Sequence, residues 1–419
     1  MRLLDRWRGR RPGRRAAVIG LDGVGLPLVR ELVDRGVMPR LGAFMSSGSA
    51  APMRSTIPTI SSVSWAGFLT GNNPGRHGIF GFTDINRSEF KQYFPNFGSL
   101  KGDTVFDLLG RQGKRSVVVN VPGTFPAREM EGVLVSGFVA IKLEKAGFGD
   151  FTIYEKADRV GGTWRENTYP GLTCDVPSHY YSYTFERNPD WTHLFSTGAE
   201  IWDYFDRVTD KYDLRRRIRF GLEVRECRWS DGAWDIELSD GGRERADVVV
   251  SATGVLHHPS TPDIEGLDSF EGATFHSARW DHEVELDGRR IGIIGTGSTA
   301  SQIVAALAER ADQLTMFQRT AQWIAPTPDK AYSERAKWAF RWVPGLAFLY
   351  YHFFRLMFEY LPARAVIKPG WQRRRIAEAC RNNLAGVRDP ELRRKLTPDY
   401  EPMCKRLIMS AGFYDAIQA

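Results

Sequence analysis

Long apolar runs are scarce in these 419 residues. The longest without a charge, residues 342–354, has thirteen and is broken by Pro344-Gly345, where a bilayer-spanning helix needs about twenty. No transmembrane segment is expected. The run reads as part of a buried helix pair, with weak peripheral contact at a membrane surface as the alternative. Cysteine is scarce too: Cys174, Cys227, Cys380 and Cys404 have neither metal nor disulfide spacing, which fits a reducing, cytoplasmic setting. A secretory leader is not expected, because Asp22 interrupts the first apolar run and no small-residue cleavage site follows. Excess charge is confined to one place. The net charge is +7, but residues 1–15 hold seven Arg against one Asp. That arm reads as a solvated, disordered tail, the rest is close to neutral, and no nucleic-acid partner is expected.

What is present is a dinucleotide-binding pattern, Arg290-Ile-Gly-Ile-Ile-Gly295-Thr-Gly297-Ser-Thr-Ala300-Ser-Gln302. Residues 290–294 are mostly apolar and β-branched, as a buried parallel strand requires. Gly295 permits the tight turn, Gly297 admits a pyrophosphate, and Ala300 keeps the next helix close to the sheet. That helix is predicted over residues 298–307, its N-terminus offering N–H groups to phosphate through Ser298 and Thr299. A glycine-bearing loop of no function would show the same pattern. The next strand ends at Arg319-Thr320. An acid there would hold a ribose 2′-hydroxyl, whereas a basic residue suits the 2′-phosphate of NADPH; an ordinary solvated arginine is the alternative.

Just upstream lies Phe270-Glu-Gly272-Ala-Thr-Phe-His276-Ser-Ala-Arg-Trp280-Asp281. It resembles the fingerprint of the Baeyer–Villiger monooxygenases. The resemblance runs over residues 139–419. It takes in Phe151-Thr-Ile-Tyr154-Glu155, Gly161-Gly162-Thr163-Trp164, Tyr169-Pro170-Gly171 through Cys174-Asp175, the Tyr180-Tyr181-Ser-Tyr183 run, Ala252-Thr253-Gly254 and Tyr400-Glu-Pro-Met-Cys404-Lys405-Arg406. It implies FAD, with cofactor contacts at Glu155, Gly162, Thr163, Trp164, Asp175, Tyr181 and Val224. It likewise implies NADPH contacts that add Gln302 and Lys405 to Gly295, Gly297, Ser298, Thr299, Arg319 and Thr320. NADPH would reduce FAD, reduced flavin and O₂ would generate the oxygenating species, and Arg406, positioned by Asp175, would stabilise its negative charge. A ketone would leave as an ester or lactone. The family's first Gly-x-Gly-x-x-Gly is reduced to Gly137, so a chimera unable to hold FAD is one alternative.

Residues 16–138 differ. Ala17-Val-Ile-Gly-Leu-Asp22, Pro58-Thr59-Ile-Ser61 and Gly102-Asp-Thr-Val-Phe-Asp resemble the type I phosphodiesterases and nucleotide pyrophosphatases of the alkaline phosphatase superfamily. That resemblance implies a metal at Asp22 and a nucleophile at Ser61, the vestige of a two-metal site whose other ligands are not found. A metal-dependent phosphodiesterase is the other alternative.

The expected organisation is α/β throughout. A basic arm (1–15) precedes a phosphodiesterase-like fragment (16–138), with a join suspected at Phe138. An FAD domain (139–285) and an NADP domain (286–400, helical insert 331–381) follow as two Rossmann-like halves, and residues 401–419 begin the return to the FAD domain.

Overall fold

The computed structural model describes residues 25–419 except 53–54, 58–60, 82–83, 87–90, 94, 115, 120–123, 125–131, 136–138, 146–148, 255, 328–329 and 368–369. The basic arm, the strand ending at Asp22 and the join at Phe138 lie outside the described residues. The chain divides into two compact units, Met1–Thr152 with Val224–Val250, and Ile153–Glu223 with Ser251–Ala419.

In the first unit the helix Leu26–Asp34 starts with a proline in its first turn, where a missing N–H costs nothing. The helix Ser61–Thr70 buries Ala66 and Leu69 against Ile79, Phe97 and Leu100. The helix Val105–Arg111 opens on a reciprocal cap between Thr104 and Asp107. The strand Gly132–Val135 pairs in parallel with Ser116–Val119. Three antiparallel strands, Val224–Ser230, Ala233–Leu238 and Arg243–Ala246, complete the unit. The first two join through Asp231-Gly232, both at positive φ (44° and 83°), the backbone a two-residue hairpin demands. The third strand stops at Ala246, short of the apolar run at residues 248–250. Val248 and Val250 are exposed; a β-branched run gains nothing from extending without a partner strand.

Among the described residues the second unit holds three parallel strand pairs: Ile153–Glu155 with Ile218–Phe220, Arg290–Ile294 with Gln313–Phe317, and Ile324–Pro326 with Ile408–Ser410. The helix Ser298–Leu307 is the one expected. Its Val304 enters a core with Trp323, Ile324, Cys380, Leu384 and Phe413, while Ile303 and Leu307 pack on Tyr169, Leu172 and Trp280. Two expectations are corrected. The strand Arg290–Ile294 alternates between exposed and half-buried residues rather than lying buried, with Ile294 and, on its partner, Phe317 open to solvent. Among the described residues its sheet has two strands, and none of them lays an apolar layer over those outer residues. The apolar run 342–354 is helical from Leu346 but is not a buried pair, because Trp342, Phe348, Leu349 and Phe353 are exposed.

One glycine fixes how the Tyr169-Pro170-Gly171 loop meets the helix Ser298–Leu307. Gly171 has φ +79°, and a Cβ there would lie 2.6 Å from the Gln302 carbonyl oxygen and 3.0 Å from the Ala306 Cβ. Gly171→Ala is expected to cost about 3 kcal/mol, since left-handed backbone and overpacking combine. Gly221 has φ +69° in open space, so Gly221→Ala should cost only about 1 kcal/mol, the backbone part alone. Chemical denaturation of the two variants checks this; equal costs would show that the close approach carries no weight.

Candidate functional site

The dinucleotide turn is built as its residues dictate. Gly295 has φ +127°, which admits only glycine without strain, and its N–H bonds the Phe317 carbonyl at 3.0 Å, tying the turn to the neighbouring strand. Gly297 is the N-cap of the helix Ser298–Leu307 and offers no capping side chain. A Cβ at either glycine would meet open space. The helix N-terminus is therefore free to receive an anion. Arg319 is exposed and Thr320 half-buried, just past the end of the adjacent strand.

Gln302 has a second task. Its side-chain oxygen accepts from the Tyr169 hydroxyl at 2.9 Å, and its nitrogen donates to the Thr173 carbonyl at 2.9 Å. This buried amide, four residues into the helix, holds the 169–175 loop. From the other side Cys174 N–H bonds the Ser196 carbonyl and Gly198 N–H bonds the Leu172 carbonyl. Burial pushes the Cys174 thiol up to about 12, so it stays protonated and unreactive.

That loop delivers Asp175 to Arg406. The guanidinium Nη2 donates to Asp175 Oδ2 at 2.8 Å across 231 positions of sequence. Arg406 is positioned from below. Trp323 Nε1 donates to the Tyr400 carbonyl at 2.6 Å, the Tyr400 hydroxyl donates to Gln322 at 2.8 Å, and Ile408 N–H bonds the Trp323 carbonyl. Between these anchors Met403 takes φ +75°, an uncommon backbone for a side chain of its size. Lys405 lies with its ammonium 4.4 Å from the Tyr400 ring centroid. The Arg406 side chain is 78% exposed. Its charge is presented outward, with Asp175 fixing its direction.

Glu155 ends the strand Ile153–Glu155, accepts from the Ala157 N–H at 3.0 Å and lies 3.6 Å from Arg165. Gly161 has φ +122°, and a Cβ there would strike the Trp202 ring at 2.4 Å. Gly162 follows at φ +50° and caps the short helix Thr163–Glu166. Trp164 Nε1 donates to the Tyr181 hydroxyl at 3.1 Å, so these two expected residues meet. Tyr180 and Tyr183 pack on aromatic neighbours, Phe358 and Phe205 among them. His276 caps the turn Ser277–Arg279, its Nδ1 accepting from the Ala278 N–H at 3.0 Å, and Trp280 joins the Tyr169 core. Val224 begins a strand of the other unit.

Of the expected metal residues, Asp22 lies outside the described residues and Ser61 opens the helix Ser61–Thr70. Among the described residues no group of three or more His, Cys, Asp or Glu could hold a metal ion.

Two features had no sequence signal. His257 Nδ1 meets the Glu166 carboxylate at 2.9 Å. Burial raises the Glu166 pKa, but the His257 hydrogen bond and the charges of His257, Arg165 and Arg279 outweigh it, leaving Glu166 below its ordinary range. His179, 3% exposed, sits among Phe340, Tyr350 and Tyr332 with ring centroids 4.1, 5.2 and 5.4 Å away. Burial, with the charge of Arg187, lowers its pKa to about 4. A histidine held neutral in the fold stabilises it fully above the unfolded value near 6.5, and that contribution is lost as pH falls towards 4. About 3 kcal/mol should disappear over that window. His179→Phe should flatten the acid limb of a stability–pH curve; an unchanged limb would contradict the assignment.

Two family models match the chain. The type I phosphodiesterase / nucleotide pyrophosphatase family model matches residues 16–231, and the flavin-binding monooxygenase-like model matches residues 130–336. The two overlap over residues 130–231. The compact unit beginning at Ile153 favours the second family for 153–223. An uncharacterised monooxygenase of Mycobacterium tuberculosis is 57% identical over 266 residues, covering 64% of this chain and 54% of its own length. A Baeyer–Villiger monooxygenase of Streptomyces coelicolor is 43% identical over 292 residues, covering 68% and 56%. Among solved structures, a cyclohexanone monooxygenase variant from Rhodococcus bound to NADP⁺ superposes with a TM-score of 0.58 at 30% identity, covering 66% of this chain and 61% of that one. The chain spans about half the length of the curated relatives it matches. The chain belongs to the type I phosphodiesterase / nucleotide pyrophosphatase family through residues 16–231, and over residues 130–336 it is similar to the flavin-binding monooxygenase-like proteins, with Baeyer–Villiger monooxygenases among the relatives it resembles.

Proposed function

We propose that the chain is an NADPH- and FAD-dependent monooxygenase that inserts one atom of O₂ into a small ketone, in the cytoplasm. The observation that carries this reading is the Arg406–Asp175 pair at 2.8 Å. It holds a permanent, outward-facing cation on a loop that is anchored at Tyr400 and Ile408.

The nicotinamide side fits well. The open turn at Gly295 and Gly297 accepts a pyrophosphate on the N–H groups of Ser298 and Thr299. Arg319, Thr320 and Lys405 would take the 2′-phosphate. Glu155 would hold the flavin-side ribose, and Gly162, Thr163, Trp164, Asp175 and Tyr181 would hold the ring end of the cofactor. FAD, reduced by NADPH, supplies the oxygen chemistry, while the protein orients the partners and excludes water. Arg406 stabilises negative charge developing beside it, and Asp175 keeps its guanidinium in one orientation.

A specific observation favours a second reading. The strand–helix segment that would carry the flavin pyrophosphate turn, Gly132–Val135 and Val139–Lys145, falls in the first unit, and its strand pairs with Ser116–Val119. On this reading the chain holds NADPH but not FAD. Incubating the full chain with FAD, NADPH, O₂ and cyclohexanone, with chromatography for the lactone, tests the first reading. NADPH-dependent lactone supports it; NADPH bound with no lactone formed favours the second.

A further inference from the structure

The helical segment after Tyr332 presents an apolar face to solvent. Leu349, Phe353 and Leu356 of the helix Leu346–Phe358, with Tyr360 in the turn that follows, recur at spacings of four, three and four residues. This is one side of a helix, and these four are 63%, 57%, 55% and 48% exposed. Other residues of the helix face inward, where Phe354 is buried and Tyr350 packs on Phe340 and on His179. Trp338, Trp342 and Trp371 are also exposed. Tyr360 lies 5.9 Å from the Trp371 ring and 4.8 Å from the Arg364 guanidinium, so the stripe ends in an aromatic–basic cluster.

Charge says what this face would meet. Residues 331–375 hold nine Lys or Arg against two Glu. A soluble partner's apolar core would not call for so one-sided a charge, whereas aliphatic and aromatic side chains among many cations match the headgroup region of an anionic bilayer. Trp and Tyr are the residues enriched at that depth. Among the described residues no helix is long and apolar enough to cross a membrane, so the segment would lie in the interface plane.

We propose that this face docks the protein on anionic lipid bilayers. The inference does not rest on the monooxygenase reading. The test is co-sedimentation of the full chain with phosphatidylcholine vesicles, with and without phosphatidylglycerol, alongside tryptophan emission. Binding should be at least about tenfold tighter to the anionic vesicles at low salt, weaken as salt rises, and shift the emission to the blue. Phe353→Glu with Leu356→Glu should remove it. Arg374→Glu with Arg375→Glu should weaken it while keeping the stripe. Both pairs are solvent-exposed, and an unchanged melting curve confirms that each variant folds. Failure of the wild-type chain to bind anionic vesicles overturns the proposal. So does binding that survives both variants, which would belong to the arginine-rich residues 1–15. A lipid-free dimer dissociated by the first variant would make the face a contact between copies and overturn it equally.

Discussion

In Arg406→Ala, lactone formation falls by a factor of roughly 10²–10³, the usual cost of removing one preorganised group from a developing negative charge. NADPH oxidation continues, because the change leaves in place every group assigned to the nicotinamide dinucleotide, the neighbouring Lys405 included. This split is the signature of the assignment: a merely structural arginine would depress both activities together or neither. The side chain is largely exposed, so its loss opens no cavity and should leave the melting temperature nearly unchanged. Asp175→Asn should give a smaller loss in the same direction, since Arg406 keeps its charge but loses its fixed orientation. Lactone formation surviving in Arg406→Ala would show that the pair at 2.8 Å has another purpose.

Trp191→Ala should be the most destabilising single change in the second unit, at about 3–5 kcal/mol. The indole is fully buried, donates to the Ser182 hydroxyl at 3.1 Å and packs on Tyr204 at 5.2 Å. Its removal therefore leaves a cavity and takes one of two partners from the Ser182 hydroxyl, which still donates to the Ser178 carbonyl at 2.9 Å. Trp191 adjoins the 192–194 stretch, where Tyr332 N–H bonds the Thr192 carbonyl and Leu194 N–H bonds the Lys330 carbonyl. The same stretch tethers Asp175, because Ser178 bonds the His193 and Leu194 carbonyls. Loosening it should weaken the ion pair as well as the fold. Thermal unfolding should show a drop of roughly 10 °C, with Trp191→Phe recovering much of it. A drop of only a degree or two would mean the site collapses around the smaller residue.

The parts legible in sequence were those set by local chemistry. Gly295 and Gly297 with the 3.6-residue pattern after them specify a turn and a helix whatever surrounds them, and that helix has the bounds expected. Asp231-Gly232 likewise fixes a hairpin on its own. Asp175 and Arg406 are 231 positions apart, and no spacing rule joins them; only the family resemblance did. What sequence could not reveal depends on how many layers surround an element. The run at Arg290 has the composition of a buried strand, yet a two-stranded sheet leaves Ile294 open. Residues 342–354 have the composition of a core helix, yet their burial depends on whether other chain covers them. Gly132–Val135 suits two sheets equally by residue type, and the pairing with Ser116–Val119 was decided by which strand it meets. His179 and the His257–Glu166 pair went unseen because a lone histidine has no pattern.

The most direct test of whether flavin and NADPH occupy one chain is the visible absorption spectrum of the purified protein after equilibration with FAD and desalting. The account predicts a retained flavin band close to one equivalent per chain, bleached on adding NADPH without air. A colourless protein that still binds NADPH would contradict it and leave the chain a nicotinamide-binding fusion without its oxygenating cofactor.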